Sequence, residues 1–267
     1  LAVRVGTGCA ALHNAMMRDL RVPRIEMDEI WSYVAKKQAR VKQEDGDAVG
    51  DQYTFMALAG SAKHAQRHID NGVDIIVAQG HEAGGHTGEI GSMVLWPEIV
   101  DAAGDTPVLA AGGIGTGRQV AAALALGAQG VWMGSAFLTA AEYDLGVRTT
   151  GGTSVIQDAL LAATSADTVR RRIYTGKPAR LLKSRWTEAW DAEGAPEPLP
   201  MPLQNILVSE AHQRMSESTD PSTIAMPVGQ IVGRMNEIRP VADIIAELVA
   251  GFEAATRRLD DIRESSQ

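Results

Sequence analysis

The chain has 267 residues, 45% hydrophobic and 22% charged, with 27 Gly, 11 Pro and one Cys, which excludes a collagen, a disulfide scaffold and wholesale disorder. Its 25 Lys plus Arg against 33 Asp plus Glu leave a net charge of -8, which repels a phosphate backbone and argues against nucleic acid as a partner of the whole chain. Cys9 alone permits neither an intrachain disulfide nor a four-Cys metal site, and no apolar run reaches the roughly 18 residues of a membrane span, so we expect a cytoplasmic protein with no membrane partner.

In chain order, the opening LAVRVGTGCAALHNAMMRDL lacks the basic, apolar and cleavage regions of a signal peptide. Leu1 in place of Met leads us to expect a natural start upstream. After a first helical stretch, RIEMDEIWSYV (24–34) alternates apolar and polar residues, the charged run KKQARVKQEDGDAVGDQ turns the chain, and YTFMAL (53–58) completes a hairpin. Strands and helices then alternate. Ser61 caps a helix through His68, and DIIVAQG (74–80) reads as a strand buried on both faces. SMVLWPEIVDAAG (92–104) reads as a helix whose regular part starts near Trp96, because Pro97 is tolerated best in a first turn. PVLAAGG (107–113), the helix RQVAAALALGA (118–128) and the strand GVWMGS (130–135) complete three successive βα connections, which imply a parallel sheet. Beyond Tyr143 a helix is expected over 153–164, irregular chain over 165–200 with Trp186 and Trp190, and a long helix from Pro240 to Ile262 that covers other helices.

Three strand ends carry candidate chemistry. AQGHEAGGHTG (78–88) directly follows a buried strand; its glycines admit close backbone approach, and His86 offers a proton acceptor near neutral pH. The same pattern also fits a tight turn in which His86 or His81 is only a polar loop residue. AAGGIGTGRQ (110–119) lies between strand and helix, where free N–H groups and the helix dipole suit an anion, and WMGSAF (132–137) follows at the next strand end. In α/β barrels the last two strand ends commonly share a phosphate site, although two ligand-free glycine turns read the same way. His64 and His68 share a helical face without a carboxylate or Cys to complete a metal set, and read as surface residues. GGIGTGRQ lacks the Gly-Lys-Ser/Thr order of a Walker loop.

From Ala59 onward the stretches VDIIVAQGHEAGGHTGEIG, PVLAAGGIGTGRQVAAALALGAQGVWMGSAF and MPVGQIVGRMNEIRPVADI resemble the nitronate monooxygenase family, once called 2-nitropropane dioxygenases, and the related flavin enoyl and quinone reductases. The resemblance implies an FMN-binding TIM-type (β/α) barrel with a helical insert. It implies that His86 matches the active-site histidine, as base or as substrate-orienting group, and that Gly112, Gly113, Gly134 and Ser135 hold the FMN phosphate, with Gln79 and Gly85 beside the cofactor. Many members carry Thr at the position of Ser135. The implied reaction oxidises an alkyl nitronate with molecular oxygen; reduction of a quinone or an enoyl thioester by NAD(P)H is the alternative.

Residues 1–58 instead resemble part of an insertion-sequence transposase with an RNase H-like core, Asp28 in MDEIWSYV matching its first metal-binding carboxylate. The later acidic partners fall beyond this similarity, so two-metal chemistry is not expected and Asp28 is an orphan. The chain thus reads as a chimera joined near residues 57–60, with a transposase-like segment over 1–58 and the flavoenzyme-like segment over 59–267. Its strands correspond to the fifth to eighth of an eight-stranded barrel, with YTFMAL standing in for the fifth. The expected fold class is therefore α/β: about the second half of a barrel, with C-terminal helices, an N-terminal hairpin of different origin, and exposed strand edges open to homo-oligomeric pairing or to a non-functional product.

Overall fold

The computed structural model describes residues 27–34, 42, 50–143, 146–148 and 152–266. The helical stretch expected at the start, and most of the charged run, lie outside the described residues. Strands β1 (Met27–Val34) and β2 (Gly50–Ala59) form the expected hairpin, antiparallel with Ile30 opposite Thr54 and Asp28 opposite Met56. Helix α1 (Ala62–Asp70) leads to β3 (Ile75–Gln79) and the two-residue β4 (Gly85–His86). Helix α2 (Ser92–Ala103), β5 (Val108–Ala111), α3 (Gly117–Ala125) and β6 (Gly130–Trp132) follow. The main sheet has the order β1-β2-β3-β5-β6, parallel from β2 to β6.

Alternation along each strand divides the core. Ile76, Ala78, Val108 and Ala110 face the helices, where they meet Leu95, Trp96, Ile99 and Ala123. Met56, Val77 and Ala111 point to the opposite face with the partly buried Leu58, Ile75, Leu109 and Trp132. In a closed barrel this face would be filled by facing strands. Among the described residues the sheet is open, which is compatible with the partial barrel that the sequence implies. One expected open edge is closed: β1 occupies the free side of β2, whereas β6, half-buried along its length, pairs with β5 alone among the described residues.

Ser61 caps α1 as expected, its Oγ accepting the His64 N–H at 3.3 Å. His64 is exposed and His68 half-buried. Helix α2 starts at Ser92, four residues before the expected regular part. The cause lies outside the helix: the Glu82 carboxylate accepts the Ser92 N–H at 3.0 Å and stabilises the positive helix end, so the first turn forms ahead of Pro97. Trp96 is buried, donating its indole N–H to the Ala111 carbonyl at 3.1 Å.

The irregular chain expected over 165–200 is instead structured: β7 (Thr168–Arg171), β8 (Ala179–Leu182) and helix α5 (Arg185–Asp191) lie in it. Together with β4 the two strands form a second sheet of order β4-β8-β7. Arginines in both strands disguise the strand pattern, because the partly buried Arg170 and the buried Arg180 make hydrogen bonds where the pattern would have apolar residues. Helix α4 (Val155–Ala162) carries a Ser154–Gln157 capping box, and α6 (Leu203–Ser216) and α7 (Val241–Ser265) complete the chain. Val155, Leu160, Leu182, Val228 and Val232 unite α4, the small sheet and the segment before α7 in a separate core. Helix α7 covers α3 as expected, and the two cross at glycines. A Cβ added to Gly117 would overlap the backbone of Leu248, Gly251 and Phe252. Among the described residues no helix is long and apolar enough to cross a membrane.

Two outcomes follow from this packing. Gly117→Val should destabilise the protein by about 2 kcal/mol or more, read as a lower urea midpoint, because the helix backbones must separate. The second concerns His212, whose ring stacks on Tyr174 at 4.5 Å and meets the edge of Trp186 at 6.0 Å, and which burial pushes below the ordinary histidine range. The unfolded chain then takes up a proton first, so stability is complete above about pH 6.5 and falls as the pH drops through and below that value. Thermal melts should show a lower Tm at about pH 5.5 than at about pH 7.5, and His212→Phe should reduce the difference.

Candidate active site

Parallel strands end on one side of their sheet, and here β3, β5 and β6 deliver Gln79, Gly112 and Gly134 to the same rim. Gln79, Gly112, Gly113, Ile114, Gly134, Ser135, Gly229 and Ile231 line a cleft of about 160 Å³ between them. The turn after β5 holds Gly112 at φ 96° and Gly113 at φ 73°, a left-handed pair that side-chain-bearing residues adopt only with strain. Gln119 braces it from the first turn of α3, donating to the Gly113 carbonyl at 2.5 Å and accepting the Gly115 N–H at 2.9 Å. Among the described residues the backbone N–H groups of Gly113, Ile114, Gly134 and Ser135 have no hydrogen-bond acceptor. The Ser135 hydroxyl accepts the Gly229 N–H at 2.9 Å, which leaves its own proton for another acceptor.

The loop between β3 and α2 is bound to the small sheet. His86 pairs in register with Ala179 and Gly85 with Arg180. His86 Nε2 shares a hydrogen bond of 2.6 Å with the buried Thr175 hydroxyl. Two arginines hold the rest of the loop. Arg180, 5% exposed, donates from Nε and Nη2 to the His81 carbonyl at 3.2 and 3.1 Å and from Nη1 to the Thr168 hydroxyl at 3.1 Å. Arg170 donates to the Thr87 hydroxyl and carbonyl, each at 2.9 Å, and forks onto Glu89 at 2.6 and 2.8 Å. Burial pulls the Arg180 guanidinium below its ordinary range, the Arg170 charge adds to the effect and Glu82 opposes it. The hydrogen bonds from Arg170 hold the Glu89 carboxyl below the usual carboxylate range.

Of the residues singled out in the sequence, Gln79, Gly112, Gly113, Gly134 and Ser135 meet in the cleft. Gly85 and His86 stand apart from its lining, on β4, where they belong to the small sheet. Asp28 sits in β1, and among the described residues no three His, Cys, Asp or Glu side chains come together as a metal site would require. Glu82, Ser92, Thr175, Arg180 and Gly229 were not among the residues singled out in the sequence. Gly229 was within reach, since it stands in the matching stretch MPVGQIV, whereas Thr175 and Arg180 lie in chain taken to be irregular.

The family model described as nitronate monooxygenase matches residues 30–251. A Mycobacterium tuberculosis protein named as a monooxygenase is 52% identical over 202 residues, spanning 73% of this chain and 52% of the relative. A probable nitronate monooxygenase of Bacillus subtilis is 34% identical over 203 residues, covering 73% and 56% of the two chains. Among solved structures, FabK from Thermotoga maritima superposes with a TM-score of 0.66 at 30% identity, over 78% of this chain and 63% of its own. Nitroalkane oxidase from Streptomyces ansochromogenes does so with a TM-score of 0.66 at 31% identity, over 76% and 58%. The chain spans about half the length of the curated relatives it matches. With more than half of its residues matched by the family model, the chain belongs to the nitronate monooxygenase family.

Proposed function

We propose that the cleft at the ends of β5 and β6 binds the phosphate of FMN and that the chain serves a cytoplasmic flavin oxidoreductase acting on alkyl nitronates with molecular oxygen. The observation that carries this reading is the set of backbone N–H groups at Gly113, Ile114, Gly134 and Ser135, without an acceptor among the described residues, around one cleft. Such a set fits a dianionic phosphate, which accepts several hydrogen bonds at once and is stabilised by oriented backbone dipoles. The Ser135 proton adds a donor, and Gly113 supplies the left-handed backbone, φ 73°, on which the orientation of the turn's N–H groups depends. Gln79, a half-buried side chain on the same rim, stands where the cofactor would continue beyond its phosphate.

Bound FMN supplies the electron-transfer chemistry, and the protein supplies orientation and electrostatics. His86 acts as the base or holds the substrate by one ring nitrogen, while Gly85 lets the main chain pass close to the cofactor. Thr175 fixes the imidazole, and the two arginine clamps keep its loop from drifting, since catalytic groups tolerate little misplacement. The half-buried edge of β6 would pair with a second copy of the chain. We also propose that residues 1–58 have a transposase-like origin with the join near residues 57–60, which sequencing the gene across and upstream of the join tests.

Adding FMN to the purified chain should give a flavin absorbance band that survives gel filtration, and Gly113→Val should weaken binding at least about tenfold, because a β-branched residue strains the left-handed backbone at φ 73° and turns the donors away. No retained flavin would refute the cofactor reading. With FMN retained, His86→Ala should lower turnover of propyl nitronate by about 100-fold or more, in the range of a lost acid–base group. Turnover of NADH with a quinone or an enoyl thioester, and none with propyl nitronate, would overturn the nitronate assignment in favour of a reductase. Nitrogen NMR shifts of the His86 ring should change in Thr175→Val and stay close to wild type in Thr175→Ser, because only the latter keeps the hydroxyl partner.

A further inference from the structure

Resting on the reading that the cleft holds a phosphate, we propose that Glu82 is a positioning residue for it, acting through Ser92 on the Gly112–Gly113 turn. The carboxylate accepts the Ser92 N–H, at 3.0 Å through Oε2 and 3.3 Å through Oε1, and its Oε2 lies 2.9 Å from the Ser92 hydroxyl. That hydroxyl is also 3.0 Å from the Gly112 carbonyl oxygen, so its single proton is shared between the carboxylate and the turn. Ser92 is 5% exposed, which keeps water from competing for either acceptor. Gly80 has to be a glycine for this contact, because a Cβ there would overlap Ser92.

The main chain of Glu82 holds a second wall. Its carbonyl accepts the Gln230 N–H at 2.9 Å, and the neighbouring Gly229 both lines the cleft and donates to the Ser135 hydroxyl. A Cβ at Gly113 would stand 3.5 Å from the Glu82 Cβ, which places the side-chain stem directly behind the turn. One residue therefore joins the start of α2, the turn after β5 and the segment at Gly229–Gln230.

A carboxylate next to a phosphate cleft would repel the ligand if its charge were uncompensated. It faces the N-terminal end of α2, and the buried Arg180 guanidinium also interacts favourably with it. The two anions thus have separate donors: Glu82 uses the first N–H of α2, and the N–H groups after β5 and β6 are left for the ligand.

The test uses the full chain with Glu82→Ala, Glu82→Gln and Ser92→Ala, titrated with FMN and with riboflavin, which lacks the phosphate. Amide hydrogen exchange of peptides over 110–119 and 226–231 is followed without flavin. Glu82→Ala should weaken FMN about tenfold or more while leaving riboflavin within about twofold, as loss of charge-assisted hydrogen bonds to one phosphate predicts. Exchange should rise in both peptides. Glu82→Gln should recover most of the FMN affinity, because its amide oxygen still accepts the Ser92 N–H. Ser92→Ala, a small change, should give an intermediate loss with faster exchange in the first peptide only. Wild-type FMN affinity and exchange in Glu82→Ala would overturn the proposal, as would equal loss of FMN and riboflavin. If the unsubstituted chain binds no FMN, the cofactor reading fails, and the exchange data alone decide whether Glu82 holds the turn.

Discussion

Parallel strands share a direction, so their carboxyl ends all emerge on one rim of the sheet, and the next helix must begin close to that rim. This constraint places Gln79, the Gly112–Gly113 turn and Ser135 within one cleft although they are spread over more than 50 residues of sequence. It also leaves N–H groups at the strand ends without ladder partners, since the ladder stops there and the helix has not begun. A cleft lined by backbone donors is thus a product of topology, with the side chains refining it. The glycines contribute by what they lack: at Gly112 and Gly113 the left-handed backbone turns the donors inward without the strain a Cβ would add.

The second sheet does different work. It lies outside the βα repeat, yet β8 pairs with the His86 strand and carries Arg180 into the interior. Burying a guanidinium is unfavourable unless its hydrogen bonds are replaced, and here the His81 carbonyl and the Thr168 hydroxyl replace them while Glu82 offsets the charge. The loop of His86 is consequently tied at His81, at Thr87 and at His86 itself, all to residues lying between 168 and 180. A segment that looks like an appendage to the barrel sets the geometry of the histidine.

Openness of the main sheet shapes the rest. The face away from the helices buries Met56, Val77 and Ala111 but leaves Leu58, Ile75, Leu109 and Trp132 half-covered, because among the described residues no facing strands close over them. At one end the hairpin strand β1 satisfies the hydrogen-bonding edge of β2, antiparallel where a barrel would supply a parallel neighbour. At the other end β6 keeps a free side among the described residues. The helix layer is better sealed, to the point that α3 and α7 touch backbone to backbone at Gly117 and Gly251.

Much of this was legible beforehand. Short β-branched runs such as IIVAQ, glycines at the strand ends and helix-length connections between them announce a parallel α/β sheet, because each is a local consequence of chain chemistry. Ser61 and the Ser154–Gln157 box announce their helices in the same way. The early start of α2 was hidden, since its stabilising carboxylate is ten residues away in sequence and the local pattern shows only Pro97. So were β7 and β8, whose arginines look exposed until partners 83 and 99 residues distant are brought beside them. By itself the sequence determined the βα order, the glycine turns and the family, all of which depend on neighbouring residues or on whole matching stretches. Only the tertiary structure decided which strand-end residues share the cleft, what holds His86 and which sheet edge is covered, because those depend on hydrogen bonds between segments that meet only once the chain has folded.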